Sequence, residues 1–143
     1  MNIVDLIRRA RRDGDFGVLA EGIPYMKTMG IEIQVDDGRL TATLAAAQLH
    51  IGNPWLPALH GGVVGGLLET AAILQLVLEQ KGDHLPKPIN VTVDYLRSGR
   101  IVPTCAAARI TRRGRRVANV QAHCWQDNPA SPIATLAGHF LVG

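Results

Sequence analysis

The stretch His60-Gly61-Gly62-Val63-Val64-Gly65-Gly66-Leu67-Leu68-Glu69 decides how this chain is read. It opens a long apolar run with a pair of glycines and sets one carboxylate inside it. From Val63 to Leu78 the only polar side chains are Glu69, Thr70 and Gln75. A helix that is apolar nearly all round is a buried helix, so the segment is expected to form a core. An ionised carboxylate there costs several kcal/mol unless it is paired or solvated. Glu69 is therefore either the partner of one of the chain's many arginines or a functional group whose surroundings matter to its chemistry.

Around this helix the remaining segments read mostly as strands. Asn2 to about Arg12 is a short amphipathic helix with Ile3, Leu6, Ile7 and Ala10 on one face. Gly14, Gly17, Gly22 and Pro24 break it, which makes residues 1–22 an N-terminal helix and linker. Ile31, Ile33 and Val35 alternate as a strand, Asp37-Gly38 is a hairpin turn, and Leu40 to Ala46 returns. Gln48 to Leu59, with Pro54 and Pro57, reads as a loop. The apolar helix ends near Gly82. Four more strands follow: one on Ile89, Val91, Val93 and Tyr95, then about Cys105–Thr111, Arg116–Trp125 and Ile133–Val142. Strands joined by hairpins, with one long apolar helix, predict an α+β domain. A curved antiparallel sheet of five or six strands has the reach to wrap that helix.

Composition narrows the class. The chain's 143 residues are read as a single domain, 1–143, large enough for its own core. Apolar residues make up 47 % and charged residues 19 %, a globular balance. A formal net charge of +3 is too mild to imply a nucleic-acid partner. Val63–Leu78 is 16 residues long and carries Glu69, whereas a membrane span needs about 20 apolar residues. No apolar leader is evident, so the expectation is a soluble, cytoplasmic protein with no membrane partner. Cys105 and Cys124 flank a predicted hairpin and are read as buried thiols rather than a disulfide. The five histidines form no i,i+4 pair, and no metal site is expected.

The motif His60-Gly61-Gly62 with an acid nine residues on, at Glu69, resembles the acyl-CoA thioesterases of the phenylacetate-pathway (PaaI-like) group. The order strand, strand, buried helix, four strands resembles their hot-dog fold. Ile89-Asn90-Val91-Thr92-Val93-Asp94-Tyr95-Leu96-Arg97, Arg113-Gly114-Arg115 and Ala137-Gly138-His139-Phe140-Leu141-Val142 are similar to that group too. The resemblance runs from about Pro24 to the C-terminus. It implies an acyl-CoA substrate, no separate cofactor, and a homodimer at least, with a homotetramer left open.

Thioester hydrolysis suits these residues. A water or a carboxylate must attack the carbonyl carbon, and donors must meet the oxyanion that forms. Backbone N–H groups at a helix N-terminus are such donors, reinforced by the helix dipole, and glycine lets a ligand approach them closely. Gly61 is the candidate oxyanion donor, as the resemblance also implies, with Gly62 beside it. Glu69 is the candidate base or nucleophile. His60 either caps the helix, shapes the loop or assists the leaving thiolate. Gly65 and Gly66 inside the helix cost ~1 kcal/mol each relative to alanine, which points to close packing against strands or a second copy of the helix. Gly62 and Glu69 are seven residues apart, ~10 Å along a helix, too far to act on one carbonyl. A second helix running past the first closes that gap, and the resemblance implies it: donor from one protomer, acid from its partner.

Relatives of this kind carry Asn or Gln six residues before the HGG histidine; here that position is Pro54, and Asn53 lies one residue earlier. They also carry Ser or Thr one turn after the acid; here that is Ile73, with Thr70 next to Glu69. Asn53 and Thr70 are therefore the substrate-placing candidates, with Trp55 as a possible wall of the acyl pocket. Arg112, Arg113, Arg115 and Arg116 surround Gly114 at a hairpin turn. They are either a solvated turn that discourages edge pairing or a clamp on the phosphates of coenzyme A, for which arginine is suited. Nucleic acid is disfavoured, because aromatic stacking partners are few and none lies near the cluster. Two other functions stay open on the sequence: a non-catalytic acyl-thioester-binding protein and a hot-dog hydratase or dehydratase.

Overall fold

Asn2 starts the first helix by accepting the Asp5 N–H at 2.9 Å. The helix α1 (Ile3–Asp13) ends at Gly14, whose φ of 67° is the left-handed conformation that glycine tolerates best. The computed structural model describes residues 2–47, 51–53 and 56–143, with side chains described for all of these except 52, 53, 56 and 57. Residues 17–29, expected as linker and turn, instead form two short helices, α2 (Gly17–Gly22) and α3 (Pro24–Met29). The glycines and the proline that read as breakers occupy helix ends. Gly17 and Pro24 are first residues and Gly22 is a last one, positions where neither residue type breaks a helix.

Strands β1 (Ile31–Asp36) and β2 (Arg39–Leu44) form the expected hairpin. Asp37 and Gly38 both have positive φ, 51° and 75°, which matches the twist of a tight two-residue turn. Where a loop was expected, β3 (Ile51–Asn53) and β4 (Leu56–Leu59) pair as a separate two-stranded ribbon. Pro57 lies within β4, which among the described residues pairs with β3 alone; proline is tolerated on such an edge. The long helix α4 (Gly61–Glu79) follows, then β5 (Lys87–Tyr95), β6 (Thr104–Arg113), β7 (Val117–Trp125) and β8 (Ala134–Leu141). Six strands form one antiparallel sheet in the order β1-β2-β6-β7-β8-β5. This is the hot-dog arrangement predicted from the strand order.

The sheet face under α4 is built for a large helix. Ala42, Ala106, Ala108, Ala118 and Ala122 give it a shallow floor, and Leu67, Leu68, Leu74 and Leu76 of α4 pack down onto it; all of these are buried. The helix lies mainly over β2, β6 and β7 and scarcely touches β5. Its 19 residues are long and apolar enough to cross a membrane, so length does not settle that question; its packing against the sheet is that of a core helix.

Polar anchors fix the far end of α4. The buried Gln75 accepts the Leu40 N–H at 2.8 Å and donates to Gly38 O at 3.0 Å, which ties the helix to the β1–β2 turn. Arg11 of α1 donates to Val77 O at 2.8 Å and Gln80 O at 2.9 Å, and also reaches the carbonyls of Lys81 and Gly82. Val77 is among the last residues of α4, whose carbonyls a helix C-terminus leaves without partners, and the other three carbonyls follow just beyond it. The cysteines are free thiols on opposite faces of the sheet, since Cys105 pairs with Trp125 and Cys124 with Ala106. Burial pushes the Cys124 thiol up to about 12, so it stays protonated and unreactive at neutral pH.

Candidate active site

His60 caps α4. Its Nδ1 accepts the Gly62 N–H at 2.9 Å, and its carbonyl accepts the N–H groups of Val63 (3.0 Å) and Val64 (3.1 Å). The capping alternative raised for this histidine is therefore what the structure shows. The cap has a chemical consequence. Of the first four amides of the helix, three are committed, and among the described residues the Gly61 N–H donates to nothing. One orphan donor, backed by the helix dipole, is left at the residue expected to hold an oxyanion. Gly62, expected to bind substrate alongside, has its N–H engaged by the cap.

A tyrosine on β5 holds this turn from the side. Tyr95 donates its hydroxyl to Gly61 O at 2.8 Å. A Cβ on Gly61 would meet the Tyr95 ring at 3.5 Å, and one on Gly65 would meet the hydroxyl at 3.4 Å. Next to the turn lies a cleft of about 330 Å³, with Gly61, Val64, Tyr95, Gly99 and Ile133 among its walls. Sequence reasoning treated Tyr95 as a strand residue only. Its signal was the alternation of β5, which says that the side chain faces the helix but not that it reaches the HGG turn.

Glu69 is half-buried, not fully enclosed as an all-round apolar helix suggested. Gly62, Gly66, Glu69 and Ile73 fall on one stripe of α4 that the sheet does not cover. Among the described residues Glu69 has no hydrogen bond and no salt bridge, so the arginine-partner alternative is not realised there. Thr70, expected to place substrate, gives its hydroxyl to Gly66 O at 2.7 Å. Gly65 and Gly66 do pack closely: Gly65 against the strand β5, through Tyr95 and Val93, as one of the two alternatives had it, and Gly66 against Tyr25 of α3. The Tyr25 hydroxyl occupies the space that a Cβ on Gly66 would need. Burial, and then the charge of Glu69, push the Tyr25 phenol above its ordinary range.

Two expected groups are not brought to Gly61. The arginine turn lies at the other end of the sheet. The line Tyr95–Ala134–Cys124–Ala106 crosses the sheet near Gly61, and the line Phe140–Ala118–Arg113 crosses it near the turn. Ala106 and Arg113 are seven residues apart on β6, about 23 Å at 3.3 Å per residue. Arg113, Gly114 and Arg115 are exposed and have no part in the cleft. Trp55 and the side chain of Asn53 lie outside the described residues. A larger groove of about 570 Å³ on the helix-free face, with Arg39, Asp94 and His123 among its walls, holds none of the expected site residues.

Comparison with known proteins agrees with the fold. Residues 51–141 match the family described as acyl-CoA thioesterase N-terminal domain. Among solved structures, a Chromobacterium violaceum protein is 34 % identical, with 96 % of each chain covered and a TM-score of 0.78. A candidate thioesterase from Ralstonia eutropha, described as phenylacetic acid degradation-related, is 24 % identical over 99 % of this chain and 100 % of that one, with a TM-score of 0.76. A Haemophilus influenzae thioesterase is 20 % identical over 90 % of this chain and 87 % of that one, with a TM-score of 0.78. No curated protein matches the chain. A family match over more than half of the residues, carried on a six-stranded sheet around one long helix, makes this chain a member of the acyl-CoA thioesterase family and a thioester hydrolase of the hot-dog fold.

Proposed function

We propose that the protein hydrolyses an acyl- or aryl-CoA at composite sites, each formed by the Gly61 turn of one protomer and Glu69 of its partner. The observation that carries this reading is the Gly61 N–H at the dipole-positive end of α4, without a partner among the described residues and beside an open cleft. In the proposed reaction the thioester carbonyl oxygen takes that N–H. Glu69 removes a proton from a water molecule, and the water oxygen bonds to the carbonyl carbon. The C–S bond then breaks, the sulfur leaves as a thiolate and is protonated, and the free acid departs. Direct attack by the Glu69 carboxylate, followed by hydrolysis of the resulting anhydride, gives the same products. Every step uses protein groups and water, with coenzyme A as part of the substrate.

The β5 edge supports an assembly of at least two copies. This strand ends the sheet, and α4 hardly covers it. Ile89, Val91, Tyr95 and the neighbouring Leu96 are 54 %, 37 %, 57 % and 55 % exposed, an apolar group at a strand edge with unpaired backbone. A second copy docked there covers these side chains and brings its own helix beside the first. Arg113 and Arg115 are proposed to meet the phosphates at the far end of the extended coenzyme A chain. Their distance from Gly61 suits contacts remote from the thioester.

A panel of acyl-CoAs with thiol detection tests the activity, and Glu69→Gln tests the role. A positioned base contributes ~10²–10⁴-fold, so the variant is expected to lose at least about a hundredfold in kcat on the best substrate while remaining folded. Near wild-type turnover by Glu69→Gln overturns the assignment.

A further inference from the structure

The stripe of α4 that carries Glu69 has a second occupant from outside the helix. Tyr25 arrives from α3, which α2 and β1 hold in place, and lays its hydroxyl where Gly66 has no side chain. Any larger residue at position 66 displaces the phenol. Gly66 and Glu69 are three residues apart, so their Cβ positions are ~5–6 Å from each other on the helix surface. A helical side chain leans toward the helix N-terminus, which carries the Glu69 carboxylate back over Gly65 and Gly66, toward that hydroxyl. The phenol and the carboxylate sense each other, because the charge of Glu69 helps keep Tyr25 protonated. Among the described residues neither side chain has a hydrogen-bond partner. The other tyrosine of this notch, Tyr95, has its hydroxyl engaged by Gly61 O and is not free to serve.

Resting on the composite-site reading, we propose that Tyr25 is the positioning residue for Glu69: its hydroxyl donates to the carboxylate and holds it aimed at the thioester presented by the partner's helix. Gly66 is the opening that admits it. The half-site that supplies the acid is thus built from three residues of one protomer, Tyr25, Gly66 and Glu69. A protonated phenol donates one hydrogen bond without taking the proton that the base must accept. It fixes one carboxylate oxygen and leaves the other for water.

The test compares Tyr25→Phe, Glu69→Gln and the double variant on one acyl-CoA. Tyr25→Phe keeps the ring and loses the donor. It is expected to lower kcat about tenfold, in line with a hydrogen bond to a charged group, with KM changed by less than about twofold. In the Glu69→Gln background the same substitution is expected to add nothing, because its effect passes through the carboxylate. Gly66→Ala reports on the geometry. Alone it is expected to lower both stability and kcat by pushing the phenol out; combined with Tyr25→Phe it is expected to regain stability, since the clashing oxygen is gone. Unchanged kcat in Tyr25→Phe, or an equal further loss in the Glu69→Gln background, overturns the proposal. If Tyr25→Phe is normal while Glu69→Gln is inactive, only the role of Tyr25 falls. If Glu69→Gln is active, the composite-site reading falls with it.

Discussion

The N-terminal turn of α4 and its middle are built alike and are assigned opposite parts in the proposed reaction. In each, a tyrosine from another element lies on a glycine of the helix. At the turn, Tyr95 donates to Gly61 O, and the amide of the same residue has no partner among the described residues. In the middle, Tyr25 lies on Gly66 near the Glu69 carboxylate. In the proposed reaction one region is a donor for negative charge, made of backbone, and the other is a base, made of a side chain. A single helix keeps Gly61 and Glu69 ~12 Å apart, so on the proposed reading one protomer holds both halves of a reaction that neither half completes.

The comparison is broken most severely at the donor. Gly61 is the first residue of α4, and His60, with φ −62° and ψ 134°, already has the extended conformation that precedes proline comfortably. Proline is accepted at this helix position and removes the N–H. Gly61→Pro is therefore expected to fold, as judged by circular dichroism, and to lose ~10²–10³-fold in kcat, the usual loss for an oxyanion donor. Gly61→Ala retains the N–H, and its Cβ would make only an ordinary 3.5 Å contact with Tyr95. It is expected to keep most of the activity. Equal loss in both variants would assign the defect to crowding, not to the missing donor.

Removing the hydroxyl of Tyr95 sharpens the contrast between the tyrosines. Tyr95→Phe loosens the turn but leaves the amide in place, and about a fivefold fall in kcat is expected from one lost hydrogen bond. This loss should persist in the Glu69→Gln background, whereas that of Tyr25→Phe should vanish. The same steady-state assays read both.

The two ends of α4 also differ in what anchors them. The N-terminus uses His60 and Tyr95, and the C-terminus uses Arg11. Arg11→Ala strips several carbonyls of their donor, so ~1–2 kcal/mol of stability should be lost in urea unfolding, with kcat unchanged. A fall in kcat as large as that of Tyr95→Phe would mean that the C-terminal anchor also sets the site.

The smallest effect is expected from the arginine turn. Exposed charges are worth ~0.2–1 kcal/mol each, so Arg113→Ala with Arg115→Ala should raise KM for acyl-CoA a few-fold. A truncated thioester without the nucleotide should be unaffected. Equal changes for both substrates would return the turn to a solvated hairpin.

What the sequence revealed follows the range of the interactions. The helix start, the strand alternation and the Asp37-Gly38 turn are local patterns, and each was legible. The spacing from Gly62 to Glu69 was legible as well, and it is what the proposal of a partner's contribution rests on. The two short helices were not, because Gly17, Gly22 and Pro24 mark helix ends as readily as they break helices. The β3–β4 ribbon was obscured by Pro54 and Pro57. The partial exposure of Glu69 could not be read from a helix that is apolar on nearly every side; it depends on how much of α4 the sheet covers. Tyr25 was hidden most deeply, since its contact with Gly66 joins segments that only the tertiary fold brings together. The unusual Gly65-Gly66 pair signalled that something approaches the helix, but not what.

The composite site is tested most directly by mixing two inactive proteins. Glu69→Gln and Gly61→Pro are co-refolded, and heterodimers are verified by mass. Each heterodimer then has one site with both mutations and one with neither. Activity should return to roughly a quarter of the wild-type rate for random pairing in a two-fold dimer. No recovery, with heterodimers present, would place Gly61 and Glu69 in the site of a single protomer and contradict the account.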